Sequence, residues 1–215
     1  MFDQLIYCFD LAGTVIFAVT GAVSAVKLRL DLLGVVVFSC TVGVGGGMLR
    51  DALIGATPVA ALQNETYLIA CIAAGLVIFF ISPLLAHHKE IIIFCDAFGL
   101  GVFTAIGAAK GMQYGLGPVG IMLCGALSAV GGGILRDVMA RKIPAVLVSD
   151  FYATASLIGG GIYILLGKTA LPLFFRFAAA AAAVTAIRIL AIHFRIQLPG
   201  SRKRVFNRRT FAVRK

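Results

Sequence analysis

Charged residues are scarce in this sequence: they make up 13% of its 215 residues, about half the share found in soluble domains. Hydrophobic residues make up 60%, and the mean hydropathy is +1.02. So few polar side chains cannot cover a surface that faces water, which excludes a soluble protein. Disordered chains are poor in apolar residues, so disorder is excluded as well. The composition predicts an integral membrane protein built from α-helices.

Sequence signatures of catalysis and of metal binding are also missing. The segment Gly43–Met48 does not fit the GxGxxG pattern of dinucleotide-binding loops, and no GxSxG or HExxH motif is present. The cysteines form no CxxC pair and no cluster with histidine, which argues against a metal centre. We therefore predict neither an enzyme nor a cofactor. The five cysteines all lie in apolar runs: Cys8, Cys40, Cys71, Cys95 and Cys124.

Acidic residues are few, with 9 Asp and Glu against 19 Lys and Arg, and the positive excess is concentrated at the C-terminus. Residues 195–215 contain eight basic residues and no acidic residue. A short basic segment beside a membrane span is typical of a cytoplasmic tail near anionic lipid. This interpretation is simpler than nucleic-acid binding, so membrane lipid is an expected partner and nucleic acid is not.

Seven apolar runs are candidates for crossing a membrane, because a helix of about 20 residues spans the hydrocarbon core. With the basic tail in the cytoplasm, seven spans place the N-terminus outside, and the loops richer in Lys and Arg also fall inside. We expect a multi-pass protein of the plasma membrane in this orientation. The predicted spans are Leu5–Val26, Leu32–Ile54, Tyr67–Ala86, Ile91–Ala109, Leu116–Met139, Ala145–Leu166 and Leu171–Phe194.

The sequence matches itself without a gap when it is shifted by 86 residues. Asp10 then falls on Asp96, and the motif GGGxLRD at residues 45–51 falls on a second copy at residues 131–137. Each copy contains three spans, an odd number, so the second copy is predicted to cross the membrane in the opposite direction. Inverted repeats recur in proteins that move solutes across membranes. The predicted organisation is a first repeat (1–86), a second inverted repeat (87–168), a seventh helix (169–194) and a basic cytoplasmic tail (195–215).

Each repeat carries three consecutive glycines near the middle of its second span. Glycine costs about 1 kcal/mol relative to alanine in a helix interior, so three in a row predict a kink or break. A break at this depth frees backbone carbonyls for ions. The alternative is close helix packing through small residues, which is favoured for Gly159–Gly161 because no Arg-Asp pair follows it. The predicted helix-break and pore residues are Gly45, Gly46, Gly47, Gly131, Gly132 and Gly133.

Ionisable residues inside apolar spans are costly and usually face a partner or a water-filled cavity. The predicted topology places Asp10 at the depth of Arg50, and Asp96 at the depth of Arg136 near the opposite face. Neighbouring residues of a helix project about 100° apart, so Arg50 and Asp51 are expected to bond other helices rather than each other. A purely structural role, joining helices, is the alternative to a role at the mouths of a pathway. The two predicted clusters consist of Asp10, Arg50 and Asp51 and of Asp96, Arg136 and Asp137.

Other polar residues offer weaker signals. Lys110, after the fourth span, either places a cation at the outer mouth or, more simply, anchors its helix at the interface. Arg176 and Arg188 lie near opposite ends of the seventh span and are expected to extend toward water. Thr104, Ser128 and Tyr152 are candidates for lining a polar path.

The doubled GGGxLRD motif in two inverted three-span repeats, followed by a seventh span, resembles the prokaryotic trimeric intracellular cation (TRIC) channels. Bacterial members of that family are also catalogued as putative glycine transporters. The resemblance covers about residues 8–194. It implies a homotrimer in which each protomer has its own ion pathway, flanked by kinked second and fifth helices. It also implies passage of monovalent cations, with K⁺ favoured and Na⁺ as a further permeant ion.

A passive potassium-permeable channel is the leading functional hypothesis, and two others stay open. Inverted repeats suit alternating access equally well, which fits a secondary transporter of a small neutral solute such as glycine. The basic tail also fits a membrane scaffold that recruits an anionic partner.

Overall fold

The computed structural model describes residues 2–85, 90–148, 151–194 and 196, and these residues form α-helices joined by short connections. The prediction of an all-helical protein is confirmed for this part of the chain. Seven of its nine helices have at least 15 residues and two have four. The helices are α1 (Phe2–Lys27), α2 (Leu32–Leu53), α3 (Ala60–Gln63), α4 (Thr66–Leu85), α5 (Glu90–Gln113), α6 (Pro118–Met139), α7 (Ala145–Val148), α8 (Ala153–Gly167) and α9 (Leu173–His193).

Five of these helices are long and apolar enough to cross a membrane: α1, α2, α5, α6 and α9. In α4 and α8 the described apolar segments are shorter, Thr66–Ile81 and Ala153–Gly167. Large apolar side chains such as Leu33 and Phe80 are exposed on the helix surfaces, where lipid would cover them. The chain is therefore a multi-pass membrane protein.

The predicted sixth span, Ala145–Leu166, is wrong at its start, because α7 ends at Val148 and α8 begins only at Ala153. The physical reason lies in Asp137, whose Oδ2 atom accepts the backbone N–H of Ala145 at 2.8 Å and fixes the start of a separate short helix. Hydropathy does not distinguish such a short apolar helix from the first turn of a span.

The backbone turns after the helices occur in matched positions of the two sequence repeats. Five described residues have φ in the left-handed region, and four of them form two matched pairs: Arg29 (58°) with Gly115 (71°), and Gly55 (74°) with Arg141 (54°); the fifth is Phe151 (53°). Arg29 and Gly115 are 86 residues apart, and so are Gly55 and Arg141. Glycine adopts this conformation at no steric cost, whereas arginine does so against its intrinsic preference. The chain therefore makes the same turns in both repeats although the residue types differ.

Helices α1 and α5 lie against each other in opposite directions at the centre of the protein. A Cβ on Gly13 would lie 2.9 Å from the ring of Phe103, and a Cβ on Gly99 would lie 3.2 Å from the ring of Phe17. The two rings stack with centroids 5.3 Å apart. Lys110, near the end of α5, lies beside Asp10, near the start of α1. In parallel helices Asp10 would instead lie near Asp96, so the contacts require an antiparallel pair.

Candidate functional site

Four ionisable side chains meet where α1, α2 and α5 pack, and we call Asp10, Arg50, Asp51 and Lys110 the Asp10 cluster. An Nη atom of Arg50 donates to Oδ2 of Asp10 at 3.1 Å, so the predicted Asp10–Arg50 pair is present. The ammonium of Lys110 lies 3.1 Å from Oδ1 of Asp51 and 4.0 Å from Oδ2 of Asp10. Arg50 is only 1% exposed. Its guanidinium depends on the carboxylates of Asp10 and Asp51 that pair with it, because breaking a buried ion pair costs about 3–5 kcal/mol.

An equivalent group of Asp96, Arg136 and Asp137, the Asp96 cluster, forms between α5 and α6. The predicted Asp96–Arg136 pair is present: Nη1 of Arg136 donates to Oδ1 of Asp96 at 2.7 Å. All three residues match members of the Asp10 cluster at the offset of 86. Asp96 and Lys110 are 14 residues apart in α5, which separates the two clusters by about 21 Å along the helix. The clusters therefore lie at different depths of a hydrocarbon core about 30 Å thick.

The expectation that each Arg and the following Asp bond only other helices is wrong. The Nε atom of Arg50 donates to Oδ1 of Asp51 at 2.8 Å, and Nε of Arg136 donates to Oδ1 of Asp137 at 3.0 Å. The long Arg side chain reaches its neighbour although the two Cβ atoms diverge. The other oxygen of each Asp binds the short helix that follows, with Asp51 accepting from the N–H of Ala60 at 3.1 Å.

Two other basic residues also differ from expectation. Lys110 is not a simple interfacial anchor, because its ammonium is part of the Asp10 cluster. Arg188 does not extend toward water: it is only 8% exposed, and its guanidinium lies 4.8 Å from the centroid of the Tyr152 ring. A cation over an aromatic face is stabilised by the ring quadrupole. Arg176 does lie at a helix end, where Nε donates to the carbonyl of Leu171 at 2.7 Å.

The glycine triples lie in helices that are not interrupted. Helix α2 is continuous through Gly45–Gly47 and α6 through Gly131–Gly133, so the prediction of a break is wrong, and a kink stays a prediction. A Cβ on Gly46 would collide with the carbonyl of Ser128, and one on Gly132 would lie 2.6 Å from the carbonyl of Val42.

These two contacts are matched at the offset of 86, as in a self-complementary interface. Glycine is needed here because the backbones of α2 and α6 approach too closely for any side chain. The triples therefore act in close helix packing, which was the alternative interpretation of the motif.

Several buried hydroxyls lie in the bundle formed by α5, α6 and α8. The Thr104 hydroxyl donates to the carbonyl of Leu100 at 2.7 Å, within its own helix. The hydroxyl oxygens of Ser128, Tyr152 and Ser156 have no hydrogen-bond partner among the described residues. Buried polar groups are nearly always partnered, so these three are unusual. No pattern in the sequence marks Ser156, which lies in an apolar run like any packing residue.

Metal and cofactor sites are not evident in the described part of the chain. No group of three or more His, Cys, Asp or Glu residues there is placed to hold a metal ion. The basic residues predicted to form a cytoplasmic tail lie outside the described residues, so that interpretation stays a prediction.

Comparison with known proteins gives the chain a family. The family described as "Glycine transporter" matches residues 7–83 and 93–168, two segments that begin 86 residues apart. An Escherichia coli K12 protein named UPF0126 inner membrane protein YadS is 36% identical over 198 residues, which cover 91% of this chain and 96% of that protein. The chain belongs to this family. A Deinococcus radiodurans member, a UPF0126 membrane protein, is 37% identical over 158 residues, 73% of this chain and 74% of that one.

Solved structures place the family among the TRIC channels, so both names fit this chain. The TRIC trimeric intracellular cation channel orthologue from Rhodobacter sphaeroides matches with a TM-score of 0.85 and 32% identity, covering 90% of this chain and all of that one. A prokaryotic TRIC channel crystallised in 0.5 M KCl matches with a TM-score of 0.85 and 30% identity, covering 92% and 100% of the two chains. The predicted resemblance is confirmed, and the matched structures are cation channels rather than enzymes.

Proposed function

We propose that this protein is a passive, potassium-permeable channel of the plasma membrane. It would act as a homotrimer with one ion pathway in each protomer. The single observation that carries this proposal is the likeness to TRIC cation channels over nine-tenths of the chain at a TM-score of 0.85. No cofactor and no covalent chemistry are needed, because conduction requires only groups that replace hydration water.

The pathway would run between the two charged clusters. The antiparallel packing of α1 and α5 and the shared offset of 86 support two inverted three-helix repeats, with α9 as the seventh membrane helix. We infer that the N-terminus is outside and the C-terminus cytoplasmic, from the predicted basic tail. In this orientation the Asp10 cluster lies at the outer mouth and the Asp96 cluster at the inner mouth.

The glycine triples would allow α2 and α6 to bend during opening. Closely packed glycines present little side-chain bulk, so a change in the angle between the helices requires little repacking. Gating by bending at Gly45–Gly47 and Gly131–Gly133 is supported by their position where the two helices cross.

A second candidate function is secondary transport of glycine or another small neutral solute, which the description of the matching family favours. The two functions differ in rate and coupling. A channel gives unitary current steps, whereas a carrier gives saturable uptake without them.

The decisive experiment is reconstitution of the full-length protein, with K⁺, Na⁺ and glycine fluxes measured in liposomes and single-channel currents in planar bilayers. We expect unitary K⁺ currents and no saturable glycine uptake. Saturable glycine uptake without unitary currents would establish the carrier and overturn the channel.

A matched pair of lysine variants tests the proposed outer mouth. Lys110→Gln removes the ammonium beside Asp51 and leaves the cluster with one excess negative charge, so K⁺ conductance should rise about two- to fivefold at low salt. Lys168→Gln alters an exposed lysine that follows α8 and should leave conductance unchanged. Equal conductance of both variants would place the pathway away from the Asp10 cluster.

A further inference from the structure

The stacked rings of Phe17 and Phe103 lie inside a circle of four helices. Helices α1, α2, α6 and α5 each pack against the next, and α5 packs against α1 to close the circle, whereas helices at opposite corners barely touch. Phe17 belongs to α1, yet a Cβ on Gly132 of α6, at the opposite corner, would lie 3.6 Å from Cγ of its ring. A side chain that reaches the opposite corner must cross the interior. The Phe17 ring therefore occupies the middle of the circle.

The two rings are also halfway between the charged clusters. Phe103 is seven residues from Asp96 and seven from Lys110 in α5, which is about 10 Å of helix on either side. Phe17 is likewise seven residues from Asp10 in α1. Residues 97–109, which separate the two clusters along α5, include no ionisable side chain. Charge is therefore confined to the two ends of this stretch, and the aromatic pair lies at its midpoint.

Glycines make room for the two rings. Gly13 precedes Phe17 by four residues and Gly99 precedes Phe103 by four, so each glycine lies on the same helix face as its phenylalanine. The Cβ contacts of Gly13 and Gly99 described above show that each ring rests against the backbone of the other helix. Both phenylalanines have an exposed fraction of 0%. At this level the space between α1 and α5 is therefore filled by aromatic carbon.

An aromatic pair at this position would block an ion. A cation that passes between the clusters loses hydration water and needs polar groups that replace it. A phenylalanine side chain has no oxygen to offer, and burying an unpaired charge in apolar surroundings is very costly. Hydrophobic constrictions close channels in this way, because they exclude water as well as ions. The pair therefore has both the composition and the position of a closed constriction.

We propose that Phe17 and Phe103 form the closed gate of the pathway between the two charged clusters. The proposal rests on the proposed channel function and adds to it the point at which the pathway is shut. It also gives bending at the glycine triples a direct consequence. Because the Phe17 ring packs on Gly132, a change in the angle of α6 moves the surface that holds this ring in place.

The test compares Phe103→Asn with Phe103→Leu in the full-length protein reconstituted in liposomes. Asparagine and leucine differ far more in polarity than in volume, so a role in packing alone predicts similar results for the two variants. A gate that closes by excluding water opens when its surface becomes polar. We expect Phe103→Asn to raise the resting K⁺ flux per folded protein at least about fivefold, and Phe103→Leu to change it less than about twofold.

The matched control is Phe177, at the contact of α1 with α9, outside the circle. Its ring is 1% exposed and stacks on Phe9 with centroids 4.3 Å apart, so the chemistry is the same and only the place differs. Phe177→Asn should lower the melting temperature and leave K⁺ flux at the wild-type value. An equal rise of flux in Phe177→Asn, or wild-type flux in Phe103→Asn, would overturn the gate.

Two further variants cover the case in which Phe103→Asn does not fold. Phe17→Asn makes the same change from the first repeat and should raise flux to a similar extent. Phe103→Tyr adds a single hydroxyl to a ring of unchanged shape and should raise flux less than asparagine does. Wild-type flux in whichever of these variants folds would contradict the proposal.

Osmotic water permeability of the same liposomes separates the gate from the proposed function. If the wild type conducts K⁺ and Phe103→Asn matches it in both K⁺ flux and water permeability, the channel stands and the gate fails. If no form conducts K⁺, but Phe103→Asn raises water permeability and Phe177→Asn does not, the constriction stands and the potassium channel fails.

Discussion

The two charged clusters have the same plan and different charge balance. Each contains two aspartates and one arginine from its own repeat, but only the Asp10 cluster includes a lysine, contributed by the other repeat. The position that matches Lys110 at the offset of 86 is Ser24, whose hydroxyl donates to the carbonyl of Thr20 at 2.8 Å. The four members of the Asp10 cluster are therefore neutral together, whereas the three of the Asp96 cluster have one excess negative charge.

This difference shows how the two ends of a protein built from two similar repeats can differ in charge. The repeated parts are the helix contacts, the Asp–Arg pairs and the turns, all of which set the shape of the protein. The repeats differ where Lys110 of the second matches Ser24 of the first, and where Ser128 of the second matches Val42 of the first. These differences change charge and polarity without changing the backbone. Structural residues are thus shared by both halves, while the residues that would distinguish the two ends of a pathway are not.

The largest expected effect concerns the two buried arginines. Arg50→Gln leaves two buried carboxylates without their guanidinium, and Arg136→Gln leaves the buried Asp96 and the half-buried Asp137, so both should destabilise the protein by about 3–5 kcal/mol. Lys110 stays beside Asp51 in the first variant, so Arg136→Gln should be the more damaging of the two. Unfolding in mixed detergent micelles measures both changes.

The control for this pair is Lys168→Gln, at an exposed lysine after α8, which should change stability by less than about 0.5 kcal/mol. If Arg50→Gln proves the more damaging variant, Lys110 does not compensate the aspartates of its cluster. The difference in net charge between the two clusters then does not affect stability.

A smaller effect is expected at the crossing of α2 and α6, where neighbouring glycines differ in their surroundings. Gly46→Ala forces a methyl group against the Ser128 carbonyl and should cost about 1–3 kcal/mol. Gly47→Ala is the matched control, because a Cβ there would meet only an Nη atom of Arg50, at 3.6 Å.

Gly47→Ala should therefore gain up to about 1 kcal/mol from helix propensity. The same unfolding assay in micelles separates the two variants. Equal losses of stability at both positions would mean that the triples are needed for flexibility rather than for close packing.

Much of the fold was predictable because the signals behind it are local or repeated. Apolar runs locate membrane helices, and the depths that the predicted topology gives to Asp10 and Arg50, and to Asp96 and Arg136, are enough to pair them from the sequence alone. Other features depend on side-chain reach, which hydropathy does not report. The Arg50–Asp51 bond and the start of α8 at Ala153 were mispredicted for this reason.

The candidate site was harder to predict than the fold. Burial without a partner is a property of three-dimensional packing, so the sequence could not distinguish Ser156 from any other small residue in an apolar run. Lys110 was ambiguous because its partners Asp10 and Asp51 are distant in sequence and lie in the other repeat. The Lys110 contacts have no counterpart in the other repeat, where the matching residue is Ser24, so the repeat pattern gives no sign of them.

The smallest expected effect is at the starts of α2 and α6, which also differ between the repeats. Asp31 caps α2 by accepting the N–H of Gly34 at 2.8 Å, whereas the matching residue of α6, Gly117, has no side-chain cap. Asp31→Ala should cost about 0.5–2 kcal/mol of stability, and Gly117→Asp should gain a few tenths of a kcal/mol, roughly the difference between Gly and Asp as caps. Micellar unfolding of both variants and of the double variant measures the two changes.

The double variant tests whether the two helix starts are independent. Because they lie in different repeats, we expect their effects to add within about 0.5 kcal/mol. A clear departure from additivity would mean that the two repeats are coupled beyond the crossing of α2 and α6.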